Sequence, residues 1–227
     1  MAIRKSTPKS TTPGQVGVTI KPPNITAVEF HVVGTAPLVI HRFSTKTIEQ
    51  MKKKMETGPE PGRRRVRAAR QTDDLYEEAR YRSAEGWDGF HAGSIRAATI
   101  SACRLVGFRM TLAKLSLFVD ADGNDRHEPQ IPLIRIYGKS VKQEDMARVE
   151  TGQPYVTVRA AFHRWKAKIR MRFDADQFTA NDVTNLLARV GLQVGIGEGR
   201  PDSKNSAGMG WGTFRIVNAD EWKQEAV

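Results

Sequence analysis

Cysteine is almost missing from the chain. The single Cys103 cannot form an internal disulfide or build a zinc site, and its place in an apolar helical stretch reads as core packing. A chain with one cysteine fits a reducing cytoplasm. Five histidines, at 31, 41, 91, 127 and 163, are scattered without ligand spacing, so neither a metal nor a cofactor is expected. No run approaches the roughly 18 apolar residues of a membrane span. The opening MAIRKSTPKSTTPGQ lacks the apolar stretch of a signal peptide, so neither secretion nor a membrane partner is expected and a cytoplasmic location is. Aromatic residues are few, at 7%, which argues for gripping a ligand's backbone over stacking on its bases. The glycine-rich stretch 191–212 holds no Gly-Lys-Ser/Thr triplet for a nucleoside triphosphate, and the chain shows no repeat at solenoid periods.

What is abundant is positive charge. Among 227 residues, 36 Lys and Arg stand against 25 Asp and Glu, a formal charge of +11 with pI near 10.0. A field of that sign and size attracts polyanions, of which nucleic acid is the commonest. With 39% hydrophobic and 27% charged residues the composition is that of a globular chain.

The order of elements points to an α+β fold. Residues 1–24, rich in Ser, Thr, Pro, Gly and Lys, read as a flexible arm. Residues 25–42 and 88–218 carry the periodic segments of a core, 43–87 read as a basic insertion, and 219–227 as a tail. Within the core, a strand is expected at 27–33 and a helix capped by Ser94 and stopped by Gly107. Strands follow at 114–119 and 131–137, then a polar helical piece at 144–150 and a long strand at 155–173. Thr179 and Asp182 form a capping-box pair for a helix ending at Gly191, and a closing strand spans 213–217. This is the βαββαβ pattern of a ferredoxin-like (RRM-like) domain with a C-terminal glycine-rich loop. DADGND at 120–125 lacks the spacing of a calcium loop and reads as a hairpin turn.

Three segments carry the binding chemistry. In HRWKAKIRMRF, period two sends Arg164, Lys166, Lys168, Arg170 and Arg172 to one face and Trp165, Ala167, Ile169, Met171 and Phe173 to the other. Cations about 6.8 Å apart along such a strand can follow an extended phosphate backbone. The insertion holds Lys52, Lys53 and Lys54 together with Arg63, Arg64 and Arg65, blocks typical of interaction arms. The glycine-rich stretch 191–212 would bring main-chain N–H groups close to phosphate, with Arg200 and Lys204 at its tip. Phe90, Trp165 and Trp211 are candidate wedges between bases.

FHAGSIRAATISACRLVG resembles the IPGSSLRGALR first-helix signature of the RAMP superfamily, the repeat-associated proteins of CRISPR effector complexes. VGIGEGRPDSKNSAGMGWGTFRI resembles its C-terminal glycine-rich loop and closing strand, and VEFHVVGTAPLVIH stands where that fold begins. The resemblance implies a subunit like the one that polymerises along guide RNA, or a phage-borne relative handling single-stranded DNA, with 43–87 in the place of its thumb. It implies phosphate contacts from Ser94 and Arg96 and a close approach by Gly195, Gly197 and Gly199. His41 and Arg42 would lie where slicing members keep an acid; residues 40–47 hold no Asp or Glu, so metal-dependent cleavage is not expected. The partners implied are single-stranded RNA or DNA, copies of the chain in a helical or filamentous assembly, and other effector-complex subunits. Two alternatives stand beside this non-catalytic reading. One is a metal-independent ribonuclease using His41 with Arg42, or His163 with Arg164; the other is a structural assembly subunit.

Overall fold

The structure, a computed structural model, describes residues 20–42, 49, 52–53, 55–56, 71–148, 154–203 and 208–227. Most of the arm and of residues 43–70, with Lys54 and Lys204, lie outside the described residues. In chain order the elements begin with β1 (Ile25–Gly34), β2 (Leu38–Ile40), α1 (Thr72–Ala79), β3 (Tyr81–Arg82), β4 (Asp88–His91) and α2 (Ala92–Ala102). Next come α3 (Met110–Ser116), β5 (Leu117–Asp120), β6 (Gly123–Asn124), β7 (Pro132–Arg135), β8 (Ser140–Arg148) and β9 (Pro154–Phe162). The chain closes with β10 (Lys166–Asp174), α4 (Ala180–Arg189), β11 (Phe214–Val217) and α5 (Ala219–Gln224). It is a mixed α+β fold.

Alternation in β10 organises the main sheet. Ala167, Ile169, Met171 and Phe173 are buried, while Arg170 and Arg172 are exposed. β10 lies between β1 and β5, and β11 adds to the far edge of β1, so the order is β11-β1-β10-β5 with every neighbour antiparallel. In the chain, α2 lies between β1 and β5, and α4 between β10 and β11. Their apolar stripes, Ile95-Ala98-Ala102 and Val183-Leu186-Leu187, join Phe30, Val32 and the buried side of β10 in one core. Two further antiparallel sheets, β2-β9-β8 and β3-β4-β7-β6, complete the fold.

Local chemistry explains the helix ends. Thr179 and Asp182 make the expected reciprocal capping box, a device worth about 1 kcal/mol. Gly107 adopts φ 70° after a short 3-10 turn, Cys103–Val106, and ends the first helical stretch as expected. Cys103 is buried, and that burial raises its thiol pKa.

The structure departs from the sequence reading at several places. The N-cap of α2 is His91, whose Nδ1 accepts from the Gly93 N–H at 2.8 Å; Ser94 lies inside the helix and its hydroxyl donates to His91 O. Residues 110–116 are helical before β5 begins. Of the polar stretch expected to be helical near 144–150, residues 144–148 are the end of β8, which pairs with β9 along its whole length, and residues 149 and 150 lie outside the described residues. The long strand expected over 155–173 is two strands in different sheets, parted at residues 163–165. Gly191 does not end α4; a π turn, Val190–Val194, carries the helix on to Gly195 at φ 70°. Residues 72–82, assigned to the insertion, form α1 and β3, and Arg42 N–H donates to Ala79 O.

Trp165 pins the break between β9 and β10. It is 1% exposed, its indole N–H donates to Ala36 O at 2.9 Å, and its ring meets Phe214 edge-on. A Cβ at Gly34 would lie 2.1 Å from the indole nitrogen, so only glycine lets β1 pass. Trp165→Ala should therefore cost about 3–5 kcal/mol, a loss read from the urea midpoint; a loss below about 1 kcal/mol would show that the pin is dispensable.

Candidate nucleic-acid interface

The outer face of the main sheet is built from residues that lie opposite one another in register. Lys166, Lys168, Arg170 and Arg172 of β10 face Val33, His31, Glu29 and Ala27 of β1, and Arg170 and Arg172 also face Asp120 and Phe118 of β5. The expected alternation is present, but the cations are engaged within the chain. Arg170 pairs with Asp122, and Arg172 Nε donates to Asp120 at 2.9 Å. Lys166 Nζ donates to the carbonyls of Trp222 and Glu225, at 2.7 Å each. Lys168 lies over the Trp222 ring, 5.2 Å from its centroid. Arg164, just before the strand, is exposed.

Sequence reasoning missed Phe118 and Trp222. The guanidinium groups of Arg96 and Arg172 both lie over the Phe118 ring, 6.0 and 5.9 Å from its centroid. Arg96 also donates to Leu117 O at 2.9 Å and to Lys114 O, so it closes the C-terminal end of α3. Alternation along β5 places Phe118 and Asp120 on the cationic face, a signal hidden by the expectation that 114–119 was all strand.

A second charged group lies where β2 ends. Arg159 on β9 donates twice to Glu198, at 2.8 Å each, and to Asp145 at 2.9 Å. His41 Nδ1 stands 3.6 Å from Glu198 Oε2. Burial lowers the His41 pKa from its usual 6.5 and the Arg159 charge lowers it further, against the opposing pull of Glu198. The imidazole is therefore held neutral near pH 7.

Arg42, read as a ligand contact, is 3% exposed and pairs with Glu128 at 2.7 Å and Asp125 at 3.6 Å. A guanidinium enclosed in this way cannot meet a phosphate, and its partners tie the loop before β7 to the end of β2. Phe90 and Trp165 are buried core residues, not wedges. Among the described residues, Lys52 and Lys53 are helical and exposed.

The glycine-rich stretch folds against its own protein. Gly195, Gly197 and Gly199 have φ of 70, 75 and 70°. A Cβ at Gly197 would lie 2.6 Å from Val39 O, and one at Gly199 would lie 2.4 Å from the Trp211 ring. The Gly195 N–H donates to Val190 O and the Glu198 N–H to Val39 O. Arg200 turns inward to Gly197 O at 3.1 Å, and Asp202 is held by Ser101 and Arg104. These glycines serve internal close packing, and the Gly195 and Glu198 N–H groups beside them are taken by main-chain carbonyls.

What remains is the distribution of charge along the chain. Residues 1–24 hold Arg4, Lys5, Lys9 and Lys21 with no acid. Residues 43–70 hold nine cations (Lys46, Lys52, Lys53, Lys54, Arg63, Arg64, Arg65, Arg67 and Arg70) against Glu49, Glu56 and Glu60. These stretches account for +10 of the formal +11, and the other segments together are close to neutral. Among the described residues no group of three or more His, Cys, Asp and Glu side chains is placed to hold a metal, and no helix is long and apolar enough to cross a membrane. No protein-family model matches the chain, nor does any curated protein.

Glu198 is the group that keeps the His41 pKa from falling further. Glu198→Gln should lower the His41 midpoint in an NMR titration, because the one raising influence is removed and the Arg159 charge remains. With a folded pKa below 6.5, His41 binds fewer protons folded than unfolded. Its contribution to stability is therefore whole above pH 6.5 and is lost as pH falls from there towards the folded pKa. A midpoint at or above 6.5 in the wild type would contradict the geometry.

Proposed function

We propose that the chain is a non-catalytic protein that binds single-stranded nucleic acid through the phosphates and lines up in copies along the strand. The observation that carries this reading is the segregation of charge. Outside residues 1–24 and 43–70 cations and acids are nearly equal in number, so those two stretches hold nearly all of the excess. Blocks of cations in excess of acids along the sequence attract a polyanion by releasing its counterions, without reading its bases.

Two further features support it. The strand order β11-β1-β10-β5, with helices after its first and third strands, fits a ferredoxin-like (RRM-like) βαββαβ domain, an arrangement that many single-strand-binding modules share. The segments that resemble the RAMP superfamily fall on β1, α2 and the glycine-rich stretch ahead of β11, in the order that superfamily would require. Its self-assembling backbone subunits supply the expectation of copies side by side, with residues 43–87 in the place of the thumb.

Metal-independent RNA cleavage is the second reading, favoured by one observation: a neutral, part-exposed His41 beside a guanidinium, the pairing of proton acceptor and oxyanion stabiliser that such chemistry uses. On that reading His41→Ala abolishes cleavage and spares binding.

The test is a fluorescence anisotropy titration with 20-mer RNA, 20-mer DNA and duplex at two salt concentrations. Wild type should favour both single strands with a steep salt slope. Replacing Arg63, Arg64, Arg65 and Arg67 by Gln should flatten that slope by about 0.7 for each phosphate that is no longer neutralised. An unchanged slope, or equal binding to duplex, would refute the proposal.

A further inference from the structure

Helix α5 lies across the cationic face of β10 and makes the contacts there that a nucleic acid would make. Its C-terminal carbonyls, Trp222 O and Glu225 O, each take a 2.7 Å hydrogen bond from Lys166 Nζ. The Trp222 indole stacks on the two lysines, 4.6 Å from Lys166 Nζ and 5.2 Å from Lys168 Nζ. The same ring meets His31 at 5.3 Å and Tyr137 at 5.1 Å. Glu221 pairs with Arg215 on β11 at 2.5 Å. Carbonyl oxygens on an ammonium, an aromatic plane over cations and a carboxylate on a guanidinium correspond to the phosphate oxygens and bases of a bound strand.

The cover is weakly held. It is a six-residue helix with no buried residue of its own, and a helix that short is marginal without tertiary support. The Trp222 indole N–H is buried without a hydrogen-bond partner among the described residues, an arrangement that costs free energy each time the helix docks. Asp220, Glu221 and Glu225 against Lys223 make the segment acidic, so what holds it to the basic face is the attraction an incoming polyanion would compete for.

We propose that the outer face of the main sheet is a second single-strand-binding surface, running from Lys166 and Lys168 to Phe118 and Arg172, and that α5 is its displaceable cover. This rests on the single-strand function proposed for the chain and adds to it a regulated site on the folded body, separate from the basic segments. Displacement of α5 exposes Lys166, Lys168, His31 and Tyr137 beside the half-buried Phe118 and the exposed Arg170 and Arg172, whose surface ion pairs with Asp122 and Asp120 a phosphate would exchange for its own contacts. Cations then follow one another along β10 about every 6.8 Å with aromatic rings at both ends, the combination that holds a strand by phosphate and base together. Docked α5 reduces the apparent affinity by the fraction of molecules in which the face is free.

The deciding experiment is hydrogen exchange of the full wild-type chain, alone and saturated with a 20-mer of uridylate or of thymidylate. The Trp222 and Glu225 amides, bonded to Asn218 O and Glu221 O, should lose protection in the complex, and the oligonucleotide that does so at lower concentration tells RNA from DNA. Trp222→Ala with Glu221→Gln, which loosens the cover without touching a buried residue, should bind about tenfold more tightly. Adding Lys168→Gln and Arg172→Gln should remove that gain. If the oligonucleotide binds while both amides keep their protection, the cover is refuted and the single-strand function stands. If neither wild type nor the loosened variant binds either oligonucleotide, both are refuted; binding by the loosened variant alone upholds the cover.

Discussion

A strand in the middle of a sheet must bury one face, and β10 buries Ala167, Ile169, Met171 and Phe173 between its neighbours β1 and β5. Period two then commits Lys166, Lys168, Arg170 and Arg172 to the other face, in single file. Each must find a counter-charge, a carbonyl or water, since an unmatched cation in a partly enclosed place is costly. Much of the remaining architecture answers that requirement. Asp120 and Asp122 lie at the end of β5 and in the turn after it, and the last helix turns back to place its carbonyls on Lys166. The acidic tail and the hairpin turn are parts of the same solution.

The glycine-rich stretch meets a different need. It has to run closely over β2 and beside Trp211, and side chains at Gly197 or Gly199 would collide with the Val39 carbonyl or the indole. The close approach lets the Glu198 N–H reach the Val39 carbonyl and its carboxylate reach Arg159 and His41. A loop that reads as a ligand cradle is thus a seam joining β2 to β9. Its polar groups leave His41 as the half-open member of a small charged cluster.

Charge in this molecule is divided between two kinds of place. In the remaining segments cations and acids nearly balance, and many of the described cations are paired within the chain. Residues 1–24 and 43–70 hold the excess, and on the proposed function it would attract polyanions at a distance and so speed encounter. On the proposed function these stretches would make first contact, and the sheet face would engage only once its cover had been displaced.

Period two in β10, the capping pair Thr179 and Asp182, the stop at Gly107, the core role of Cys103 and the excess of basic residues were all legible in the sequence, because each depends on neighbours a few residues apart. Tertiary structure alone decided which cations remain available. Arg42 is enclosed by Asp125 and Glu128, more than eighty residues on, Lys166 by Trp222 and Glu225, more than fifty residues on, and Arg159 by Glu198. The same long-range pairing placed residues 140–148 in a strand against β9, overriding their polar, helix-like composition, because hydrogen bonds to a partner strand outweigh local propensity. Sequence alone thus determined the total charge and the alternation that sorts it. The partner of each charge was set by folding, since opposite charges meet through space and the chain between them leaves no local trace.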